Sequence, residues 1–375
     1  MRIPFNKPAL AGRELEYIQQ AVSNGHLSGN GAFTRQCQTF FEHRYGIQKA
    51  LLTTSGTAAL EMAALLLDLQ PGDEVIIPSF TFTSTANAFV LRGARIVFAD
   101  SSASHPNMAV GQVAALITRR TRAIVPVHYA GVACDMAPIM ALAEHHGLVV
   151  IEDAAQAIES FYLDRPLGSI GHLAAFSFHE TKNISAGEGG LLAINDPRFA
   201  ARAEILWEKG TNRAAFFRGE TARYQWVDVG SSFLPPELTA AYLLAQLEQL
   251  AVIQQQRLRQ WNRYYAALLP LAQAGCFAVP TLPDYARHNG HIFYLICADR
   301  TQRQALIQQL AAAGILAVFH YQTLHNSTFY RAKHDGRDLP HATRYDQCLV
   351  RLPLYYELTE ADQQTVIDVV RTFFA

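Results

Sequence analysis

Short runs of apolar, β-branched residues alternate with amphipathic stretches from about residue 50 to residue 195. The runs are Glu74–Ile77, Ala94–Phe98, Ala123–Val127, Leu148–Ile151, Ala174–Phe178 and Leu191–Ile194, and helix-like segments Thr57–Leu67, Ser84–Leu91 and Met136–His145 lie between several of them. Apolar runs without in–out alternation suit strands buried on both faces, so the pattern predicts a mostly parallel sheet with crossover helices. Beyond residue 235 the texture changes. Leu243, Leu247, Leu250 and Ile253 recur at spacings of four and three and mark one face of a single long helix that turns polar at Gln254–Arg257. Past it, Ile292–Cys297 and Ala317–His320 read as strands around a helix at Arg303–Leu310, and Thr359-Glu360-Ala361-Asp362 reads as the capping box of a terminal helix. The expected architecture is α/β, with a large unit over residues 1–250 and a smaller αβ unit over 251–375.

Bulk properties narrow the class. The 375 residues carry 31 basic and 32 acidic side chains, a formal charge of −1. That near-balance speaks against nucleic acid as a partner. The five cysteines are scattered with no C-x-x-C pair, which disfavours a disulfide framework or a thiolate metal site. The opening Met1–Pro8 lacks a signal-like apolar core, and no apolar run approaches a membrane span, so the cytoplasm is the expected location. His145, His146 and His172 offer no convincing ligand set, and no metal is assigned.

Open parallel sheets place chemistry just beyond strand carboxyl ends. Here the runs exit into Asp100, His128-Tyr129, Glu152-Asp153 and His179. Polar loop exits are common in any fold, so the pattern gains force only when several exits serve one ligand. Pyridoxal phosphate needs a lysine to form an imine, a carboxylate beside its ring nitrogen, a phosphate cradle and a flat partner for the ring. Thr54-Ser55-Gly56-Thr57-Ala58 could cradle the phosphate on the backbone amides of Thr57 and Ala58, although Ser-Gly-Thr is also an ordinary helix cap. Asp153 is the carboxylate or a helix cap, and Gln156 lies close enough to reach the ring hydroxyl. Lys182 follows an apolar strand and precedes Gly187-Glu188-Gly189-Gly190 in a segment poor in other charges. Partial burial there would favour the neutral amine. Ser177 could add a hydroxyl to the phosphate, and Phe82 could stack on the ring or simply pack in the core.

Taken together, Ser55–Leu60, Glu152–Gln156 and Ser177–Asn183 with Gly187–Gly190 resemble the signature segments of the DegT/DnrJ/EryC1/StrS sugar aminotransferases, from Ile3-Pro4-Phe5 to Arg351-Leu352-Pro353-Leu354. The resemblance implies a fold-type-I pyridoxal-phosphate enzyme, a homodimer with its active site at the subunit interface. It implies Lys182 as the cofactor lysine, Asp153 as the pyridinium partner, Gln156 beside the ring hydroxyl, Phe82 as the stacking ring, and Thr57, Ala58 and Ser177 as phosphate donors. Many members have Asn, reaching the neighbouring subunit's phosphate, where this chain has Ser232, a shorter donor. Thr83–Gly93, Pro126–Cys134, Phe176–Asn183 and Lys209-Gly-Thr-Asn-Arg213 resemble the branch that uses L-glutamate to aminate dTDP-4-dehydro-6-deoxyglucose with galacto geometry. Asn6, Ser28 in Leu27–Gly31, His320, Tyr321 and His325 are the candidates for the sugar-nucleotide side, with loop and domain packing as the alternative. A dehydratase branch has histidine in place of the lysine, which Lys182 disfavours. A cofactor-binding sensor is the non-enzymatic rival, and the absence of G-x-G-x-x-G after the early strands disfavours a nicotinamide enzyme.

Overall fold

The computed structural model describes residues 2–375. Its strands, in chain order, are β1 (Lys49–Thr53), β2 (Glu74–Pro78), β3 (Arg95–Ala99), β4 (Thr121–Ile124), β5 (Val149–Asp153), β6 (Phe161–Tyr162), β7 (Arg165–Pro166), β8 (Leu173–Ser177), β9 (Gly190–Ile194), β10 (Ala286–Arg287), β11 (Phe293–Ile296), β12 (Val318–Phe319) and β13 (Leu349–Leu352). Seven form the central sheet in the order β1-β9-β8-β5-β4-β2-β3. The pairs β3–β2–β4–β5–β8 are parallel, and β9 runs antiparallel between β8 and β1. Five parallel strands therefore deliver their carboxyl ends to one edge, where the site lies.

Two apolar layers cover the sheet. Ile76, Val97, Ile124, Val150, Ala174 and Leu191 face one layer with the helices Ala32–Tyr45 and Glu237–Glu248. Val75, Ile77, Ile96, Ala123, Ile151 and Leu192 face the other with the helix Gly56–Leu66. Burial on both faces is why these strands read as continuous apolar runs. All six predicted runs are strands, most shifted by a residue or two at their ends. β1 and the helices Glu14–Ser23 and Ala32–Tyr45 are additional to the sequence reading.

The predicted long helix is two helices, Glu237–Glu248 and Leu250–Gln273, separated at Gln249 with φ −100° and ψ 7°. Leu243 and Leu247 pack on the sheet, as do Leu250 and Ile253 on the far side of the break, and the chain then turns toward a third core. That core is built from Trp261, Tyr264, Leu306, Leu310, Ile367 and their neighbours around the small sheet β11-β13-β12. Thr359 caps the terminal helix by accepting from the Asp362 amide at 3.1 Å, as its capping box predicts. Among the described residues no helix is long and apolar enough to cross a membrane.

Candidate functional site

The phosphate loop is the turn between β1 and the helix Gly56–Leu66. Gly190, opposite on β9, leaves no room for a side chain, since a Cβ there would fall 2.3 Å from the Ser55 carbonyl and 2.4 Å from the Gly56 nitrogen. A Cβ on Gly56 would meet that of Ser177, the last residue of β8, at 2.9 Å. Two glycines thus press the loop against the strand ends, and Ser177 sits beside the helix start. Thr57 Oγ1 meets Ser84 Oγ at 2.7 Å, so the N-termini of the helices Gly56–Leu66 and Thr83–Val90 converge. Two helix starts with clustered hydroxyls form an anion cradle. One detail differs from expectation: the Ala58 amide donates to Ser55 Oγ at 3.0 Å, an ordinary N-cap. An anion served by Ala58 must therefore compete with Ser55 or rotate it away.

Asp153 ends β5 and is buried. Its Oδ2 accepts from Thr85 Oγ1 at 2.7 Å and its Oδ1 from the Ala155 amide at 3.1 Å. Thr85 in turn lies 2.9 Å from Thr81 Oγ1. Behind Asp153, the fully buried Glu152 accepts from the amides of Gly168, Ile170 and Gly171 and from His128 Nε2 at 2.9 Å. His128 Nδ1 accepts from the Cys134 amide, which places the ring proton on Nε2. Burial opposes charge on Glu152, yet His128 and the amides of Gly168 and Gly171 hold its pKa below the usual value.

Gln156 is buried, with Oε1 accepting from the Ala130 amide at 2.6 Å and Nε2 donating to the Tyr321 hydroxyl at 2.9 Å. Ala130 has φ 58°, a strained value for a residue with a Cβ, in the turn that follows His128. Tyr129 meets His320 Nδ1 at 3.0 Å through its hydroxyl. Phe82 sits just before the helix Thr83–Val90, 57% exposed, its ring 6.1 Å from that of Tyr321. A ring this exposed is not packed in the core and is available to stack on a flat ligand.

Lys182 follows β8 in a turn whose amide donates to the His179 carbonyl at 2.9 Å. Burial pulls its amine down to about 8, with Asp153 opposing the change and Arg351 adding to it. The neighbouring Asn183 donates to the Asn289 carbonyl at 3.0 Å and to Gln254, and accepts from His291 at 2.7 Å, which fixes the turn against the smaller unit.

Of the sugar-side candidates, Asn6 donates to the Glu180 carbonyl at 2.9 Å and shares a cavity of about 20 Å³ with Lys182 and Asn183. His320 and Tyr321 join the Gln156 network. Ser28 lies in a loop packed on Leu234–Glu237, where the Glu237 carboxylate accepts from the amides of Gly31, Phe33 and Thr34. His325 is buried, its Nδ1 is 2.6 Å from Ser79 Oγ, and its ring packs against Phe98 and His334, which is the packing alternative named for it. Its hydrogen bonds fasten a loop to the end of β2 and do not join it to Lys182. Ser232 bridges to Glu208 and is exposed, next to Phe233, whose carbonyl accepts from the Thr54 amide at 3.0 Å. Thr85 is a site residue that the sequence does not single out, whereas Tyr129, which stands at a strand exit, lies against His320. Thr85, three positions after the selected Phe82, was open to detection as a hydroxyl one helical turn further on.

The residues fit pyridoxal phosphate: a cradle closed by two glycines, an oriented buried carboxylate, an open aromatic and a lysine with a lowered pKa. The chain matches the DegT/DnrJ/EryC1/StrS aminotransferase family over residues 8–371. It is 33% identical to the spore coat polysaccharide biosynthesis protein SpsC of Bacillus subtilis, covering 98% of this chain and 96% of that one. The aminotransferase TlmJ of Streptoalloteichus hindustanus has a similar structure, with TM-score 0.90, 29% identity, and coverage of 99% of this chain and 98% of that one. The sugar aminotransferase Spr1654 of Streptococcus pneumoniae, described as putative, gives TM-scores of 0.91 in its PMP form and 0.90 in its PLP form. Identity is 25% in both, over 99% of this chain and 99% or 98% of that one.

Proposed function

Since the chain belongs to the DegT/DnrJ/EryC1/StrS family of pyridoxal-phosphate-dependent sugar aminotransferases, we propose that it transfers the amino group of L-glutamate to C4 of dTDP-4-dehydro-6-deoxy-D-glucose, giving dTDP-4-amino-4,6-dideoxy-D-galactose and 2-oxoglutarate. The observation that carries the amino-transfer chemistry is the Lys182 amine, lowered to about 8 beside an Asp153 carboxylate fixed by Thr85. The sugar rests on the likeness of Thr83–Gly93, Pro126–Cys134 and Lys209–Arg213 to the transaminase of enterobacterial common antigen assembly.

Bound pyridoxal phosphate supplies an electron sink that labilises the proton on an amino acid's α-carbon. The chain's own residues do the rest. Lys182, near neutral pH partly unprotonated, is the base that would take that proton and later give it back. Asp153 would keep the ring nitrogen protonated, and Thr85 keeps its carboxylate from turning. Gln156 is placed to donate toward the ring hydroxyl, Phe82 to cover one ring face, and Thr57, Ala58 and Ser177 to bind the phosphate. His320, Tyr321 and Asn6 line the approach on the acceptor side. Exposed Phe217, Tyr224, Trp226 and Val229, in the segment that leads to Ser232, support a homodimer in which a second copy covers them.

The test is an absorbance spectrum of the purified holoprotein, read after L-glutamate and then after the keto sugar. Loss of the visible band with glutamate and its return with dTDP-4-dehydro-6-deoxyglucose is the expected result. Loss without return keeps the aminotransferase and rejects this acceptor in favour of another nucleotide-linked keto sugar.

A further inference from the structure

Lys182 and Gln156 stand on separate turns of the large unit. Among the described residues no hydrogen bond runs directly from residues 156–158 to residues 180–185. What joins the two turns comes from the smaller unit, in residues 288–292, the approach to β11. Gly290 has φ 59° there, a left-handed value that glycine takes without strain, and a Cβ on it would lie 3.1 Å from the Arg257 carbonyl of the helix Leu250–Gln273. Asn289, just before it, has no exposed surface.

Both polar atoms of the Asn289 side chain are used. Its Nδ2 donates to the carbonyls of Gln156 and Ile158, each at 2.8 Å, and its Oδ1 accepts from the His291 amide at 3.0 Å. The head group also fills the space over Gly131, where a Cβ would collide with Asn289 Oδ1. Gly131 follows Ala130, whose amide holds the Gln156 side chain, so Asn289 touches both the backbone of Gln156 and the turn that orients its side chain. The main-chain carbonyl of Asn289 serves the other turn, accepting from Asn183 Nδ2 at 3.0 Å and from Gln254 Nε2. Asn183 follows Lys182 directly. Its nitrogen is committed to Asn289 and Gln254, so its Oδ1 accepts from His291 Nδ1 at 2.7 Å. Burial keeps the His291 ring neutral, and the charges of Lys182, Arg257 and Arg351 add to that effect. Buried polar groups that each have a partner hold one arrangement, because any other leaves some of them unpaired.

We infer that Asn289 is a positioning residue for the reaction: it fastens the Gln156 turn and the Lys182 turn to one point of the smaller unit, and so fixes the reach between the amine that moves the proton and the group beside the ring hydroxyl. A misplacement of about 1 Å between reacting groups can cost about 100-fold in rate, which is the scale on which such a link matters. This rests on the aminotransferase reading above, but the two fail separately.

The test compares wild type, Asn289→Ala, Asn289→Asp and a control, Trp261→Phe, each read well below its unfolding temperature. Asp keeps the shape of Asn but cannot donate to both carbonyls. Trp261→Phe removes the indole bond to the Ile292 carbonyl, in the same segment, and leaves both turns their own bonds. In cofactor-free protein, residues 179–187 should lose protection from hydrogen exchange in both Asn289 variants, while β13 keeps its own. On addition of pyridoxal phosphate the visible band should appear about tenfold more slowly. With an α-amino acid that wild type accepts, the maximal rate of band loss should fall about 10- to 100-fold, while the donor concentration for half-maximal rate stays within about twofold. Trp261→Phe should lower the unfolding temperature and leave all three readings as in wild type. Asn289 variants that exchange and react like wild type overturn the inference. So does an Asp variant as fast as wild type beside a slow Ala variant, which would mean that Asn289 only fills the space over Gly131. Equal slowing in Trp261→Phe overturns it too, since softening of the segment would then set the rate. Should Asn289→Ala not fold, Asn183→Ala cuts the same link beside Lys182 and is judged by the same readings. A wild-type band that no amino acid changes would instead remove the aminotransferase reading, and exchange and band formation would still decide on Asn289.

Discussion

The Thr85 hydroxyl donates to Oδ2 of Asp153 at 2.7 Å, joining the first turn of one helix to the end of β5 across 68 residues of sequence. With the Ala155 amide on Oδ1, the carboxylate is held from both sides and cannot rotate freely. Thr85→Val should keep the cofactor but lower turnover about tenfold, the worth of one hydrogen bond to a charged group. Thr85→Ser should restore most of the rate. Steady-state kinetics on cofactor-saturated protein decide, and equal rates for Val and Ser would show that Thr85 only fills space.

Gly190 makes a separate prediction about the cradle. A methyl there would collide with the Ser55 carbonyl and the Gly56 nitrogen, and backbone on both sides cannot yield as a side-chain tip can. Gly190→Ala should cost about 1–3 kcal/mol and should speed cofactor loss on dialysis. Gly111→Ala, where nothing lies within 4 Å, is the control and should change neither. Cofactor retention equal in the two variants would show that the loop relaxes without cost.

The contrast between Asp153 and Thr85 shows what the chain discloses linearly. Asp153, Lys182 and Phe82 are legible because each stands beyond the exit of a buried strand, and a continuous apolar run with a polar end survives in one dimension. β1 is less legible because only Ala50, Leu51 and Leu52 of Lys49–Thr53 are apolar and none of them is β-branched. The joined helix at 243–253 was misjudged because apolar spacing continues through Gln249, where only the backbone turns. His325 looked like a ligand because its partner, Ser79, lies 246 residues away.

Glu152 predicts the acid limb of stability. Its pKa is held below the ordinary value in the fold, so its contribution is complete above about 4.5 and is lost as pH falls through the lower folded value. Glu152→Gln would set an amide N–H against the amides of Gly168, Ile170 and Gly171 and should cost about 3 kcal/mol at pH 7. Below pH 4.5 the gap to wild type should narrow, because wild type is then losing the same charge. Denaturant unfolding at pH 7, 5 and 4 measures this, and parallel curves at all three would contradict it.

Lys182 gives the opposite sign at the alkaline end. In cofactor-free protein its amine is lowered from 10.5 to about 8, so the fold disfavours the charged form. Below pH 8 both folded and unfolded chains carry the proton and the fold bears the whole cost, at most about 3 kcal/mol. Between pH 8 and 10.5 the unfolded chain binds a proton that the folded one has lost, so wild-type stability rises with pH across that window. Lys182→Met keeps the length and removes the charge. It should unfold at higher denaturant than wild type at pH 7, lose that advantage by pH 10.5, and show no visible band with pyridoxal phosphate. Unfolding of both cofactor-free proteins from pH 7 to 10.5 supplies the measurement. A constant difference would mean that Lys182 sits in water and that its reactivity has another source. A converging one would tie the same desolvation to both the stability cost and the readiness of the amine to react near neutral pH.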